Sequence, residues 1–395
     1  MIQEIINQYQ SPLYIYSESK IIENINRLKG SIQYPDLLLC YAMKANSNIA
    51  VLKTIKDQAI GIDCVSQGEI RTALKIGFDP SKIRFTPTFA GKSEIAFVIA
   101  QGIQISIDSI PLIEWMLQEY PGLPIGLRMN PSVMAGGYLK TSTGHAKAKF
   151  GIGMNYVPQI LDMIQNRGLQ VNGLHIHSGS DILEISQFME AVEVLLRVAP
   201  DFKTLDYIDL GSGFKVSYYP GDKETDMNDF GKIISDRFKQ FCDTYGKKLR
   251  LIFEPGKFIA SNAGQFIVTC TGVKENGGVT FAGVDSGFNH LIRPMFYGAY
   301  HTIKNLSNPA GKLKVYDIVG NICETDTFAS DREIPEIREN DLLLFENAGA
   351  YCFSMSSPYN SRPRPAEVYI RQNGKIELIR RRETLDDLLA LQFNP

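Results

Sequence analysis

From residue 37 to about 256 the chain repeats one pattern. A short apolar, β-prone run ends in polar or glycine-bearing residues, and a longer stretch with apolar positions at the helical period of 3.6 follows. Eight such runs occur: LLLCYAM (37–43), GIDCV (61–65), IRFTP (83–87), QISIDS (104–109), PIGLRMN (124–130), GLHIHSG (173–179), TLDYIDLGSG (204–213) and RLIFEPG (250–256). Among the stretches between them, SQFMEAVEVLLRV at 186–198 carries a clear helical period. Eight β-α units over this length predict a closed (β/α)8 barrel, a fold that places its chemistry at the C-terminal ends of its strands. An open doubly wound sheet calls for a Gly-rich turn after its first strand, and none follows LLLCYAM.

After residue 260 the pattern changes to strands that follow one another through turns. Asn276-Gly277-Gly278 separates FIVTCTGV from VTFAGV, and Asn373-Gly374 separates AEVYI from KIELI; both read as hairpins. PLYIY at 12–16 reads as an early strand, followed by a helix capped by Ser17 or Ser19 with Ile21, Ile22, Ile25 and Leu28 on one face. The expected organisation is a barrel over 22–260 and a second domain, mostly β and sandwich- or barrel-like, made of 1–21 plus 261–395. Thr384 caps a short last helix, LDDLLALQ.

Composition narrows the function. At 395 residues, 44% hydrophobic and 21% charged, the chain is an ordinary globular protein. A formal net charge of −2 with dispersed lysines and arginines offers no basic stripe to nucleic acid and no polybasic membrane tail. Small molecules are the expected partners. The first residues, MIQEIINQYQSPLYIY, have the character of neither a signal nor a transit peptide, and no uninterrupted apolar span approaches membrane length. Six scattered cysteines without CxxC spacing point to reduced thiols in a cytoplasm.

The chemistry lies at the strand ends. Lys44 ends the first barrel run, His177 the sixth, Gly211-Ser212-Gly213 the seventh and Glu254, before Pro255-Gly256, the eighth. A lone lysine there can simply snorkel to the rim; its company argues otherwise. Each group suits one part of pyridoxal phosphate. A lysine amine holds the aldehyde, and desolvation is expected to lower its pKa and free a neutral nucleophile. Backbone N–H groups of a glycine turn hold phosphate, and a carboxylate keeps the ring nitrogen protonated. The two histidines of HIHSGS share a strand face and could also serve a metal, but no carboxylate or thiol cluster neighbours them in the sequence, and no metal is expected.

Eight blocks carry a wider resemblance: YAMKAN, GIDCVSQGEI, STGHAKAKFGI, HIHSGSDI, EPGKFIASNAG, VDSGFNHLIRPMFYGAYH, CETDTF with DREIPEI, and AGAYCFSMSSPYNSRPRPAEV. In this order they resemble the pyridoxal phosphate-dependent decarboxylases with an alanine racemase-like barrel, and within them the branch acting on meso-diaminopimelate. The resemblance implies that Lys44 carries the cofactor, that Asp63 orients Lys44, that His177 stacks on the ring and that Glu254 pairs with the ring nitrogen. It also implies that Ser180, Gly211, Gly213, Gly256 and Tyr351 complete the cofactor site. For the substrate it implies Lys257, Arg293, Tyr297, Glu324 and Tyr351. Arg293 and Tyr297 would offer a fork and a hydroxyl to the distal carboxylate, and Glu324 would receive the distal ammonium. Cys323, beside the α-carbon, would be a proton donor. The Cys323-Glu324 segment comes from a second subunit in that family, so a homodimer with shared sites is expected.

Three positions depart from the family pattern. Lys257 stands where EPGR is common, and would meet the substrate carboxylate as a point charge. Ser212 interrupts a glycine turn and needs a negative φ. Pro358 in SSPYN replaces a more usual non-proline residue. The competing readings are a same-fold decarboxylase of carboxynorspermidine, ornithine, arginine or a secondary-pathway amino acid, and a non-catalytic regulator that keeps the cofactor fold. Retention of Lys44 and of Cys323-Glu324 argues against the latter.

Overall fold

The structure, a computed structural model, describes residues 2–133, 143–145 and 147–392. After a first strand that joins a different sheet, β1 (Leu13–Ser17), the eight apolar runs form β2 (Leu37–Ala42), β3 (Gly61–Cys64), β4 (Ile83–Phe85), β5 (Gln104–Ile107), β6 (Ile125–Asn130), β8 (Val171–His175), β9 (Tyr207–Asp209) and β10 (Arg250–Phe253), with a two-residue β7 (Ile152–Gly153) beside β6. The eight pair parallel in this order, and β10 returns to β2 to close the ring. The STGHAKAKFGI block falls partly outside the described residues.

The helices begin where the sequence supplies caps. Ser17, not Ser19, accepts the Lys20 N–H at the start of helix Glu18–Ser31, whose Ile21, Ile25 and Leu28 are buried. Ser66 caps Gln67–Lys75, and Asp226 caps Met227–Tyr245 through the Asn228 and Asp229 N–H groups. Each cap satisfies donors that the first turn cannot. The predicted helix at 186–198 runs Ile185–Val198 and buries Phe188, Ala191, Val192, Leu195 and Leu196.

Inside the barrel the Tyr207 ring lies across β6 and β8, where the only tolerable neighbours are glycines. A Cβ on Gly173 would stand 2.0 Å from Tyr207 Cζ, and one on Gly126 2.2 Å from its hydroxyl. Gly173→Ala is therefore expected to lower the denaturation midpoint by an overpacking cost of about 1–3 kcal/mol. Tyr207→Leu in the same chain should recover part of the loss. An unchanged midpoint in the single variant would show that the ring is free to move.

The second sheet holds β1, β11 (Gly264–Asn276), β12 (Val279–Val284), β13 (Ile303–Asn305), β14 (Leu313–Val319), β15 (Thr327–Pro335), β16 (Leu342–Phe345), β17 (Ala366–Ile370) and β18 (Ile376–Arg380). Both hairpins form. Asn276 pairs with Val279 across Gly277 and Gly278, whose φ values of 59° and 80° suit the tight turn, and Ile370 pairs with Ile376. Succession through hairpins is only part of the sheet, since β1–β17 and β12–β14 are parallel pairs. β1 lies between β11 and β17, so the first strand of the chain is held by residues some 250 to 350 positions later. Thr384 and Asp387 form a capping box on helix Leu385–Leu389. Among the described residues no helix is long and apolar enough to cross a membrane. All six cysteines are free, and of these Cys323 alone is exposed.

The second sheet meets the barrel at the β2 end. The Tyr351 N–H and the Ser354 hydroxyl both donate to the Ala45 carbonyl, and Asn46 Nδ2 donates to the Gly349 carbonyl. These bonds lay the loop after β16 over the turn that carries Lys44.

Candidate active site

At the C-terminal mouth of the barrel a cavity of about 590 Å³ opens, within the range usual for small-ligand sites. Lys44 reaches it from the 3-10 turn Met43–Ala45 after β2, and about 40% of its side chain is exposed. Its Nζ donates to Asp63 Oδ2 at 2.8 Å, and Thr86 Oγ1 donates to the other Asp63 oxygen at 2.6 Å. Asp63 is fully buried beneath the cavity wall. The expected neutral amine is not what this arrangement holds. Burial does pull the Lys44 pKa down, but Asp63, Tyr351 and Glu254 outweigh it and raise the amine above its ordinary range. Lys44 is thus an ammonium docked on Asp63, and sequence reasoning missed the sign because it weighed burial without the carboxylates.

The other strand ends converge on the same space. His177 lines the cavity; burial, with Arg128 as the next cause, lowers its pKa to about 3, so the imidazole is neutral. The Ser212 N–H points at His177 Nδ1 over 3.4 Å. Gly211 (φ 62°) and Gly213 (φ 127°) take conformations that favour glycine, and a Cβ on Gly213 would stand 2.2 Å from the Gly179 carbonyl oxygen. Ser212 between them is absent from the positive-φ residues, which meets its stated condition, and its hydroxyl donates to the Glu254 carbonyl. Gly256 also lines the cavity; its Cβ position is 3.1 Å from Ala42 Cβ, Ala45 Cβ and the Tyr351 hydroxyl. Tyr351 itself is held at φ 57° by the bond to Ala45.

Glu254 carries a buried oxygen, Oε1, with no hydrogen-bond partner, and it also lines the cavity. Burial alone would raise its pKa; His175 and then Lys44 outweigh that and hold the carboxyl well below the usual range. A buried anion needs a donor, and the cavity that Glu254 lines is where one can arrive.

Arg293 and Tyr297 reach the cavity from the short helix Arg293–Tyr297 of the second sheet region. Arg293 is 6% exposed, with its guanidinium 4.8 Å over the Tyr218 ring and Nη1 3.3 Å from His301 Nε2. His301 Nδ1 lies 2.8 Å from the Glu346 carbonyl, so that nitrogen carries the proton and Nε2 accepts from Arg293. One edge of the guanidinium is thereby fixed from behind.

Lys257 and Ser180 also line the cavity, but they are joined to each other. Lys257 Nζ donates to Ser180 Oγ at 2.8 Å and to the two Asp181 oxygens at 2.8 and 2.7 Å, which uses all three of its donors. Sequence reasoning singled out Lys257 without Asp181, and the acid directly after Ser180 was the signal it passed over. Arg128, buried and lining the cavity from β6, was missed as well. Cys323 and Glu324 do not line the cavity of their own chain. They sit exposed against the turn after Pro358, where Tyr359 Oη donates to Glu324 Oε1 and Asn360 Oδ1 accepts the Cys323 N–H.

The profile of the pyridoxal-dependent decarboxylases, pyridoxal binding domain, matches residues 18–261. A diaminopimelate decarboxylase of Methanothermobacter thermautotrophicus is 40% identical over 99% of this chain and 94% of that protein. This chain belongs to the diaminopimelate decarboxylase family. A second relative of that description, from Vibrio cholerae, is 36% identical over 98% of this chain and 94% of that protein. The crystal structure of the Helicobacter pylori diaminopimelate decarboxylase complexed with L-lysine superposes with a TM-score of 0.91 at 31% identity, covering 99% of both chains. As a member of this family the protein is a pyridoxal phosphate-dependent decarboxylase. The residues present fit that cofactor: a lysine amine, a buried carboxylate and a glycine turn that leaves no room for a side chain at Gly213 all line one cavity.

Proposed function

We propose that this enzyme removes one α-carboxylate from meso-diaminopimelate and releases L-lysine and CO2, in a homodimer whose two sites are shared between subunits. The observation that carries the reading is the meeting, in one cavity, of the Lys44–Glu254–His177 set with the buried Arg293. Bound pyridoxal phosphate supplies an electron sink for the bond between the α-carbon and its carboxylate. Lys44 would carry the cofactor aldehyde, with Asp63 orienting the amine. With the cofactor bound, neutral His177 would pack on its ring and the Glu254 carboxylate would accept from the ring nitrogen. Ser180, Gly213, Gly256 and Tyr351 from the cavity lining, with Gly211 behind the turn, would hold the phosphate.

Arg293 and Tyr297 bind the distal carboxylate, with His301 and Tyr218 holding the guanidinium in place. Lys257 lines the same cavity with its charge paired to Asp181. Glu324 of the partner subunit receives the distal ammonium, and Cys323 of the partner subunit delivers a proton to the α-carbon. Their exposure here, away from the cavity of their own chain, supports a contribution in trans. Division of the chain into a barrel over 22–260 and a second domain from 1–21 plus 261–395 belongs to the same reading.

A panel of meso-diaminopimelate, lysine, ornithine and arginine tests the substrate. CO2 release from the first is expected to exceed the others by at least about 100-fold in kcat/KM, because a substrate without the distal carboxylate leaves a buried guanidinium unpaired. Equal rates across the panel would defeat the assignment.

A further inference from the structure

The motif HIHSGS contains two histidines, and the mechanism above uses one. His175 ends β8 a layer deeper in the barrel than His177, is 1% exposed and does not line the cavity. Register places it beside Asp209 of β9, and Asp209 in turn lies beside Ile252, two residues before Glu254. One ligand-type atom from each of His175, Asp209 and Glu254 lies within 4.8 Å of the others, and all three side chains are buried. His175 Nε2 is 3.3 Å from Glu254 Oε2, off hydrogen-bond alignment, and neither ring nitrogen has another partner. Asp209 Oδ1 accepts the Gly211 N–H, which ties the same cluster to the glycine turn.

A buried imidazole with both nitrogens unpartnered is costly unless a neighbour completes it. The neighbour in reach is Glu254 Oε2, while Oε1 is the buried oxygen without a partner. We propose that His175 is a positioning residue for the cofactor: its Nε2–H holds Glu254 Oε2, so that the carboxylate stays ionised and fixed at the cavity wall for the ring nitrogen. The electrostatics agree. Burial and then the charge of Glu254 push the Asp209 carboxyl up, while the Glu254 carboxyl is held low. Asp63 of β3, Arg84 of β4, Arg128 of β6 and Lys44 after β2 are the other charged groups that act on this cluster.

The inference rests on the cofactor reading of the cavity but not on the identity of the substrate. It is tested on the full chain by titrating the apoenzyme with pyridoxal phosphate, alongside the thermal midpoint of the apoenzyme. His175→Leu is expected to weaken cofactor binding about 10- to 100-fold, the scale of one hydrogen bond to a charged group. His175→Gln, whose amide can donate to Oε2, should restore binding to within about threefold of wild type. In a Glu254→Gln background the leucine change should add little, because the carboxylate it serves is gone. If the leucine chain does not fold, His175→Ser takes its place in the same cycle. Wild-type affinity in His175→Leu overturns the proposal, as does an undiminished loss in the Glu254→Gln background. So does a stoichiometric metal ion in the purified protein that disappears with His175, since the cluster would then be serving that ion. Should meso-diaminopimelate prove not to be the substrate, the cofactor titration still decides this point.

Discussion

A Lys44→Ala chain is expected to retain roughly a thousandth or less of wild-type CO2 release and to lose borohydride-fixable attachment of pyridoxal phosphate. Mass measurement after reduction separates loss of the covalent link from loss of fold. Removing the ammonium also strips Asp63 of its counter-charge. Burial and Glu254 already push the Asp63 carboxyl up, and Lys44 is the first force that opposes them. Without it the carboxyl moves further up. The sign follows from linkage: a carboxyl whose folded pKa lies above its unfolded one is most stabilising when protonated. The variant should therefore lose stability relative to wild type as pH rises from about 4, the ordinary Asp value, until the folded carboxyl has ionised. A variant that still turns over at the wild-type rate would remove Lys44 from its place. The same chain serves to test the shared site. Mixed in equal amounts with an inactive Cys323→Ala chain and allowed to exchange subunits, it should restore about a quarter of wild-type activity, because each mixed dimer assembles one intact site. No recovery on exchange would place Cys323 in its own chain's site or outside catalysis.

Arg293→Ala is the second large effect, expected at about 2–4 kcal/mol in kcat/KM, roughly 30- to 1,000-fold, with most of it in KM. The guanidinium is almost fully buried, and its removal takes away the fork assigned to the distal carboxylate while leaving His301 Nε2 without its donor. Arg293→Lys should recover only part. An ammonium keeps the charge but lacks the planar fork that bonds His301 on one edge and a carboxylate on the other. Affinity for pyridoxal phosphate should stay near wild type in both variants, since Arg293 is assigned to the substrate. A loss confined to cofactor affinity, with KM unchanged, would move Arg293 to the other ligand.

The barrel was readable because a strand covered on both faces leaves a continuous apolar run, and eight of these stand out against helical spacing. Lys44, His177, the Gly211–Gly213 turn and Glu254 were readable for a related reason: each is the polar break at the end of such a run. Asp181 was not, although it adjoins Ser180, because its importance is a bond to Lys257, which follows another strand far along the chain. His301 looks like any histidine in an irregular stretch until the fold sets it between Arg293 and the Glu346 carbonyl. The ionisation of Lys44 failed for the same cause. Desolvation can be anticipated from a strand end, but the net shift depends on which carboxylates the other strands bring to it.

The order of apolar runs and breaks determined, without coordinates, that this chain forms a barrel with reactive groups at one rim, because local periodicity and strand ends are properties of neighbouring residues. The three-dimensional structure alone decided which groups touch. It set Asp63 under Lys44, Asp181 against Lys257 and His175 beside Glu254, and it left Cys323 and Glu324 on an outer face. Contacts between side chains on different strands arise from closing the ring, and their Coulomb energies depend on distances of a few ångströms that no spacing along the chain encodes.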